Sequence, residues 1–249
     1  MPNGKEKAEQ VKEQKWSPAP GVELIITAVE LVPRQKRRYQ IYVNEEQAFT
    51  VHEDVMVKYR LLKGSTIDHE ELLPIMVADE LQQAYVQSIR YLGRKPRTSH
   101  EIQQQLTQKG FEAELIERII LRLMDERLID DNLYAKQWMD QRVRNHKKGR
   151  LMIKHELRQK GIDKSDIAQA MEELNTEDEQ ESAYRVGLRK WQNTKGERYE
   201  RKRKVVAFLM RRGFPSHVVR NAVQRIMEQQ ANDESNGYDE ETFEEDFYD

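Results

Sequence analysis

Three glycines, Gly110, Gly161 and Gly213, lie in the same short sequence motif, which reads LTQKGF, LRQKGI and LMRRGF in its three copies. The glycines are 51 and then 52 residues apart. Counted from each glycine, positions −8, −4, +1, +6, +10 and +13 are always apolar: Ile102, Leu106, Phe111, Ile116, Ile120 and Leu123; Ile153, Leu157, Ile162, Ile167, Met171 and Leu174; Val205, Leu209, Phe214, Val219, Val223 and Ile226. This pattern predicts three tandem copies of one helix–glycine–helix unit.

Each copy is expected to hold three helices. The second helix ends at the marker glycine, where a left-handed residue belongs, and Thr98 with Glu101 matches a capping box at the start of one such helix. Asp163 is a candidate N-cap of a third helix. Aromatic and apolar residues at helical spacing mark the first helices and favour core packing over base stacking: Tyr85, Ile89 and Leu92; Tyr134 and Trp138; Tyr184, Leu188 and Trp191.

Around the repeats we predict a small N-terminal cap and two disordered ends. Residues 21–75 suggest strands at Leu24–Val32, Tyr39–Val43 and Phe49–Val51, then a helix over 53–63 that stops at Gly64. The predicted segments are 1–20 disordered, 21–75 β-rich cap, 79–127, 128–175 and 176–230 as three-helix repeats, and 231–249 as an acidic disordered tail. The expected fold is therefore mainly α, an elongated array of small units.

Composition supports an array of small cores over one large core, because only 37% of the 249 residues are hydrophobic and 35% are charged. The chain has no cysteine, which excludes disulfides and thiolate chemistry and fits a reducing cytoplasm. No apolar stretch approaches the roughly 18 residues of a membrane span, and the first ten residues lack a signal-peptide core. We expect a soluble, cytoplasmic protein with no membrane partner.

The net charge of −2 conceals a strong asymmetry. Residues 1–78 have net charge −1, residues 79–230 have +8, and residues 231–249 have −9 with no basic residue. A basic array suggests a polyanionic partner, and the acidic tail could compete with that partner by folding back. A tail that only improves solubility is the alternative.

Nothing in the sequence indicates catalysis, a cofactor or a metal. Asp130 and Asp131 form a carboxylate pair ahead of a helix, and helix N-capping explains them better than metal binding. The six histidines show no HxxxH or HxH spacing, and neither a GxxxxGK[ST] nor a GxSxG motif occurs. We predict a protein that is not an enzyme.

Basic residues are the informative polar group. Lys109, Lys160 and Arg212 each precede a marker glycine, where they could bind phosphate or simply stabilise a helix C-terminus. Other clusters surround the loop before the second helix of the middle repeat, lie at Arg201–Lys204, and follow the first helix of the first repeat. The candidate binding residues are Arg94, Arg97, Lys109, Arg142, Arg144, Lys147, Lys148, Arg150, Lys160, Lys204, Arg211 and Arg212. Reversing Arg142, Lys147 and Lys148 is expected to leave the fold intact.

Longer motifs resemble a known family. YLGRKPRTSHEI at 91–102, LIDDNLYAKQW at 128–138, KKGRLMIKHELRQKGI at 147–162 and RRGF at 211–214 are similar to the RecX family of bacterial recombination regulators. The resemblance is strong over 79–230 and weaker over 21–75. It implies three three-helix units in a curved, extended molecule that binds the RecA filament on DNA, commonly as an inhibitor, and that can contact DNA directly.

From the residues and the resemblance together, we expect a monomeric, non-enzymatic modulator of RecA in recombination, repair and the SOS response. We also expect it to contact single-stranded DNA, with double-stranded DNA as a second candidate. Two alternatives stay open at this point. One is a sequence-nonspecific single-stranded nucleic-acid-binding protein with no RecA partner. The other is a helical-repeat scaffold for acidic proteins.

Overall fold

The computed structural model describes residues 16–145 and 147–239, with the backbone alone for 233–239. Two compact units are present: one comprises residues up to Arg94 together with Leu106–Ile119, and the other comprises Lys95–Gln105 and the residues from Ile120 onward. Within the described ranges, no helix is both long enough and apolar enough to cross a membrane. The predicted disorder of 1–20 falls almost entirely outside these ranges.

The N-terminal unit is built on a four-stranded antiparallel sheet in the order β3-β2-β1-β4. Its strands are β1 Leu24–Leu31, β2 Arg38–Val43, β3 Glu46–His52 and β4 Thr66–Ile67. The first three were predicted, although β3 begins three residues earlier than expected. The two-residue β4 was not predicted, since it pairs only with the start of β1.

Helix α1, Glu53–Lys58, ends five residues before the predicted end at Lys63. Arg60 takes the left-handed conformation that ends the helix, with φ of 52°, and the Leu61 amide donates to the Met56 carbonyl at 2.9 Å. This turn puts the Leu61 side chain into the core of the sheet. The prediction of a helix over 53–63 was therefore wrong, because burial of Leu61 reverses the chain before the glycine is reached.

Helix α2, His69–Leu92, connects the sheet to the repeats and crosses the boundary expected between residues 75 and 79. Ile75 packs in the core of the sheet. One turn later, buried Asp79 accepts a hydrogen bond from the His52 amide at 2.7 Å and pairs with Arg38 at 3.0 Å. A buried carboxylate needs such partners, so this network fixes α2 against the strands.

Eight further helices follow among the residues that the structure describes. They are α3 Ser99–Gln108, α4 Ala113–Asp125, α5 Asp131–Arg144, α6 Arg150–Gln159, α7 Lys164–Glu172, α8 Thr176–Gln192, α9 Arg198–Arg211 and α10 Ser216–Asp239. With α2 they form three helix triplets, so the predicted fold class, three three-helix repeats with a small N-terminal sheet, is confirmed. Helix α10 continues to Asp239, past the boundary predicted at residue 230, and residues 240–249 of the predicted tail lie outside the described ranges.

All three marker glycines have positive φ angles, of 88°, 75° and 82°. After each glycine, the next amide donates to the carbonyl five residues back, as from Ile162 to Leu157, and the glycine amide donates three residues back. This pair of bonds is the Schellman arrangement, which satisfies the free carbonyls at a helix end. The predicted helix–glycine–helix unit is therefore confirmed in every copy.

The repeated apolar positions form the cores. Fifteen of the eighteen are buried, and the other three, Phe111, Ile120 and Leu174, are partly buried. On the first helices, Trp191 is buried as predicted, but the other deepest positions are displaced by one residue and are mostly small: Ala84 and Ser88, Ala135 and Met139, Ala183 and Gly187. Ile89, a predicted anchor, is 36% exposed. Small residues occupy these positions because they let the first helix approach its neighbours closely, as Gly187 does beside Leu209 and Ile226.

The three glycines differ in what surrounds them, which leads to a stability prediction. A Cβ on Gly110 would meet nothing within 4 Å, whereas one on Gly161 would overlap His100 and one on Gly213 would overlap the backbone of Met152. Replacement by alanine should cost about 1–2 kcal/mol at Gly110, from the left-handed backbone alone. We expect clearly larger losses for Gly161→Ala and Gly213→Ala in urea unfolding monitored by circular dichroism. Equal losses at all three sites would contradict the close approach at the second and third glycines.

Candidate functional site

The first repeat junction joins the start of α3 to the end of α6. Thr98 and Glu101 form the predicted capping box, with side-chain to amide distances of 3.1 and 3.2 Å. The Thr98 hydroxyl also donates to the Lys160 carbonyl at 2.8 Å, and the Ser99 amide donates to Asp131 at 2.9 Å. A helix N-terminus from one repeat is thus bound by a helix C-terminus and a carboxylate from the next.

The second junction, between α6 and α9, repeats this plan. The Gly149 amide donates to the Arg212 carbonyl at 2.9 Å, and the Leu151 amide donates to the Gly213 carbonyl at 3.0 Å. Glu179, in the first turn of α8, accepts from the Arg150 amide at 2.8 Å. In both junctions a carboxylate from the first turn of the following repeat complements the positive end of a helix. Lys160 and Arg212, the C-cap residues before two marker glycines, therefore lie at repeat junctions.

The capping predictions for the acidic residues are largely confirmed. Asp130 caps its own helix by accepting from the Leu133 amide at 2.8 Å. Asp131 serves the neighbouring helix α3 instead, binding both the amide and the hydroxyl of Ser99. Asp163 occupies the N-cap position of α7 without a side-chain hydrogen bond. No group of acidic or histidine side chains able to hold a metal ion occurs among the described residues.

Lys160 is held inside the first junction. Its ammonium donates to Glu101 at 2.9 Å and lies 4.6 Å from the centre of the Trp138 ring. Burial opposes the charged form, but hydrogen bonds to Tyr134 and Glu101 outweigh it and raise the pKa of Lys160. Arg97 also faces Glu101, at 3.8 Å. Two candidate binding residues are therefore committed to one carboxylate within the fold.

Three more candidates, all of them in the middle repeat, are committed to carboxylates. Arg142 donates to Glu156 at 2.8 Å and lies 3.9 Å from the Trp138 ring centre, and Lys148 pairs with the same carboxylate. Arg150 donates to Glu179, a carboxylate only 2% exposed, at 2.6 Å. Reversing Arg142 and Lys148 would put three carboxylates together, so the expectation that this reversal leaves the fold intact is not supported.

The other candidates are exposed or nearly so. Arg94, Lys109, Arg144, Lys147, Lys204 and Arg211 are exposed, and Lys204 lies 3.7 Å from Glu200 on the same helix. Arg212 is half-buried over the Phe208 ring, and its guanidinium donates to the Lys147 carbonyl at 3.3 Å. This last bond connects the loop before α6 with the end of α9.

That connection brings two basic segments together at the second junction. Lys148, Met152, Arg211 and Arg212 line an open pocket of about 300 Å³, beside exposed Lys147. We call Lys147, Lys148, Arg211 and Arg212 the junction cluster. Cations on a partly enclosed surface attract phosphate groups, and such contacts carry no information on base sequence. Segments more than 60 residues apart form it, so sequence spacing alone could not show their proximity.

The carboxylate of Glu156 provides a test of the structural role of the buried cations. Burial disfavours its charged form, but hydrogen bonds from Lys148 and Trp138, with the charges of Lys148 and Arg142, lower the pKa of Glu156 below its ordinary value of 4.5. A lowered pKa stabilises the fold above pH 4.5, and this stabilisation is lost as the pH falls through the folded-state pKa.

Glu156→Gln should therefore lower the melting temperature at pH 7 and flatten the loss of stability on acidification below about pH 4.5. Glu181→Gln is the matched control, since Glu181 pairs with Arg185 and Arg225 on the surface and exposed pairs contribute little. Melting curves between pH 3 and pH 7 measure both variants. Equal effects of the two replacements would show that the Glu156 network is no more than a surface ion pair.

Comparison with known protein families covers most of the chain. Residues 24–68 match the Regulatory protein RecX N-terminal domain, and residues 84–123, 130–171 and 177–223 match the first, second and third three-helix domains of RecX. These matches follow the sheet and the three helix triplets in order.

Relatives and solved structures agree with these matches. The Regulatory protein RecX of Limosilactobacillus reuteri is 34% identical over 188 residues, which are 74% of this chain and 70% of that protein. The Bacillus cytotoxicus protein of the same name is 30% identical over 210 residues, covering 82% and 78%. A crystal structure of regulatory protein RecX aligns with a TM-score of 0.66 and 33% identity over 78% of this chain and 96% of that one.

A second structure, RecX from Lactobacillus salivarius, aligns with a TM-score of 0.57 and 23% identity over 60% of this chain and 97% of that one, which supports the fold. Four domain matches in the expected order, relatives above 30% identity and a shared fold lead to one conclusion. This chain belongs to the RecX family of regulatory proteins.

Proposed function

We propose that this protein is a non-enzymatic regulator that binds the RecA filament on DNA and lowers RecA activity in recombination and repair. Membership of the RecX family supports a regulatory role. The observation that carries the proposal further is the junction cluster, because it presents cations from two repeats on one open surface. A surface of this kind suits a phosphate backbone or acidic side chains.

Regulation requires no catalytic step in this proposal. A protein that binds across neighbouring subunits shifts the equilibrium between assembled and free subunits by its different affinity for the two states. The internal ion pairs give the repeats the rigidity that such binding needs, since Glu101, Glu156 and Glu179 each hold a cation of the repeat or its neighbour. Charges committed inside the junctions position the exposed ones.

Direct contact with DNA is part of the proposal and rests on the exposed cations. Each phosphate contact releases condensed counterions, so affinity should fall steeply with salt. Lys147, Arg211 and Arg144 are exposed and offer such contacts. Binding of this kind is independent of base sequence, because contacts to phosphate carry no sequence information.

The proposal predicts the behaviour of a double charge reversal, Lys147→Glu with Arg211→Glu. Neither side chain takes part in the Glu156 or Glu179 networks, so the fold should be retained. If both cations contact single-stranded DNA, the slope of log affinity against log salt should decrease by about 0.7 per contact, about 1.4 in total. Fluorescence anisotropy with a labelled oligonucleotide at several salt concentrations measures this slope.

Lys164→Glu with Lys195→Glu is the matched control, because it changes the net charge equally at exposed positions outside the junction cluster. Assays of RecA-dependent ATP hydrolysis and strand exchange separate the two partners. Unchanged DNA binding with reduced inhibition would place RecA, and not DNA, on this surface. A folded double variant that binds DNA and inhibits RecA normally would exclude the junction cluster as the binding surface. DNA binding by the unmodified protein without any effect on RecA would favour the nucleic-acid-binding alternative.

A further inference from the structure

The third repeat carries an open apolar groove. It has a volume of about 750 Å³ and lies between α9 and α10. Its floor is formed by Val206, Met210, Val219, Val223 and Met227. Met210 is 44% exposed, although Val205 and Leu209 on the same helix are buried.

Two residues of the groove floor are apolar in the third repeat and polar in the other two. Val206 and Met210 stand seven and three residues before Gly213. The equivalent residues of the second repeat are Lys154 and Arg158, and those of the first are Gln103 and Thr107. Polar side chains are therefore compatible with this place in the unit, so folding of the repeat does not require apolar residues there. An exposed apolar patch of this kind marks an interaction site.

The rim of the groove is positively charged. Arg198, Lys202 and Arg220 are exposed along it, against one acidic residue, Glu228, which is bonded to Gln224. Apolar floor and basic rim together suit a segment in which aromatic and acidic residues alternate. The groove is thus unlike the junction cluster, whose lining is mainly basic.

The chain itself contains such a segment. Residues 240–249 read EETFEEDFYD and contain six carboxylates, three aromatic side chains and no basic residue. This segment holds two of the six phenylalanines in the chain, Phe243 and Phe247, outside any of the repeated apolar positions. A segment needed only for solubility would not require these rings.

The distances allow the segment to return to the groove. Helix α10 continues eight residues beyond Ala231, the last residue of the groove, which is about 12 Å at 1.5 Å per residue. Ten extended residues span about 33 Å. After they pass back over the helix, a distance of about 12 Å, about 20 Å of the segment remain to lie in the groove. The groove runs along α10 from Ser216 to Ala231, about 22 Å.

We propose that the groove between α9 and α10 binds residues 240–249 of the same chain, with Phe243 and Phe247 on the apolar floor and the carboxylates along Arg198, Lys202 and Arg220. A tethered segment has an effective concentration in the millimolar range, so a weak contact suffices for occupancy. The docked segment covers the cations of α9 and places six negative charges beside the third repeat. This inference does not depend on the proposed RecA function.

Methyl NMR of the full chain with labelled methionines tests the proposal. Met210 and Met227 report on the groove, and buried Met139 in the second repeat is the internal reference. Phe243→Ala with Phe247→Ala should move the Met210 and Met227 signals and leave Met139 unchanged. Thr242→Ala, in the same segment, is the matched control and should move none of them. Identical Met210 and Met227 signals in the double variant and the unmodified chain would overturn the proposal.

A peptide corresponding to residues 240–249 provides the second arm. Added to the double variant, it should return the Met227 signal toward its position in the unmodified chain. The unmodified chain should bind the same peptide about fivefold more weakly, as expected when a tethered copy at millimolar effective concentration competes with a peptide of a few hundred micromolar affinity. Val206→Lys with Met210→Arg, the residues of the second repeat, should abolish peptide binding while circular dichroism stays unchanged.

Two further outcomes would contradict the proposal. Equal affinity of the peptide for the double variant and the unmodified chain would mean that the tethered segment does not occupy the groove. Signals of Met210 and Met227 that depend on protein concentration would indicate that a second copy of the chain fills it instead.

Discussion

The hydrogen bonds that join one repeat to the next depend on a left-handed glycine. At Gly161 and Gly213 the chain turns so sharply that the N-terminus of another helix can lie against the helix end, with His100 or Met152 where a Cβ would be. The C-cap carbonyls of Lys160 and Arg212 then bind Thr98 and Gly149. Because a helix start and a helix end both need external partners, each junction satisfies two helices at once. No comparable overlap exists at Gly110, where an added Cβ would meet open space.

This arrangement explains why the basic residues divide into two groups. A carboxylate that stabilises a helix start in a junction needs a counter-charge when it is buried, as Glu179 has in Arg150. Glu101 has the same relation to Lys160, and Glu156, inside α6, pairs with Arg142 within the middle repeat. Cations bound at the junctions are thereby internal, while their neighbours in sequence, such as Lys147 and Arg211, face outward. A high density of basic residues in sequence is therefore a poor guide to the binding surface of this fold.

Much of the fold could be predicted from sequence because it depends on local signals. Apolar spacing, the marker glycines and the Thr98–Glu101 box act over a few residues, and all three appeared as expected. The early end of α1 at Lys58 and the small residues on the first helices could not be predicted, since they follow from what packs against Leu61 and Gly187. The junction cluster could not be predicted for the same reason, because the Arg212 guanidinium reaches the Lys147 carbonyl only in the folded chain.

The differences between the repeats determine which surfaces they present to a partner. Identical units would present identical surfaces, yet the position occupied by Lys154 in the second repeat is Val206 in the third, and Arg158 is replaced by Met210. The first two repeats each bind the following repeat through a helix start, that of α3 or α6, which lies against the carbonyl of Lys160 or Arg212. The third has no following repeat among the described residues, and its outer face is apolar with a basic rim. Burying that face requires an occupant of opposite charge, and an acidic segment joined to the same helix meets this requirement at the lowest entropic cost, because its attachment to α10 keeps it near the groove.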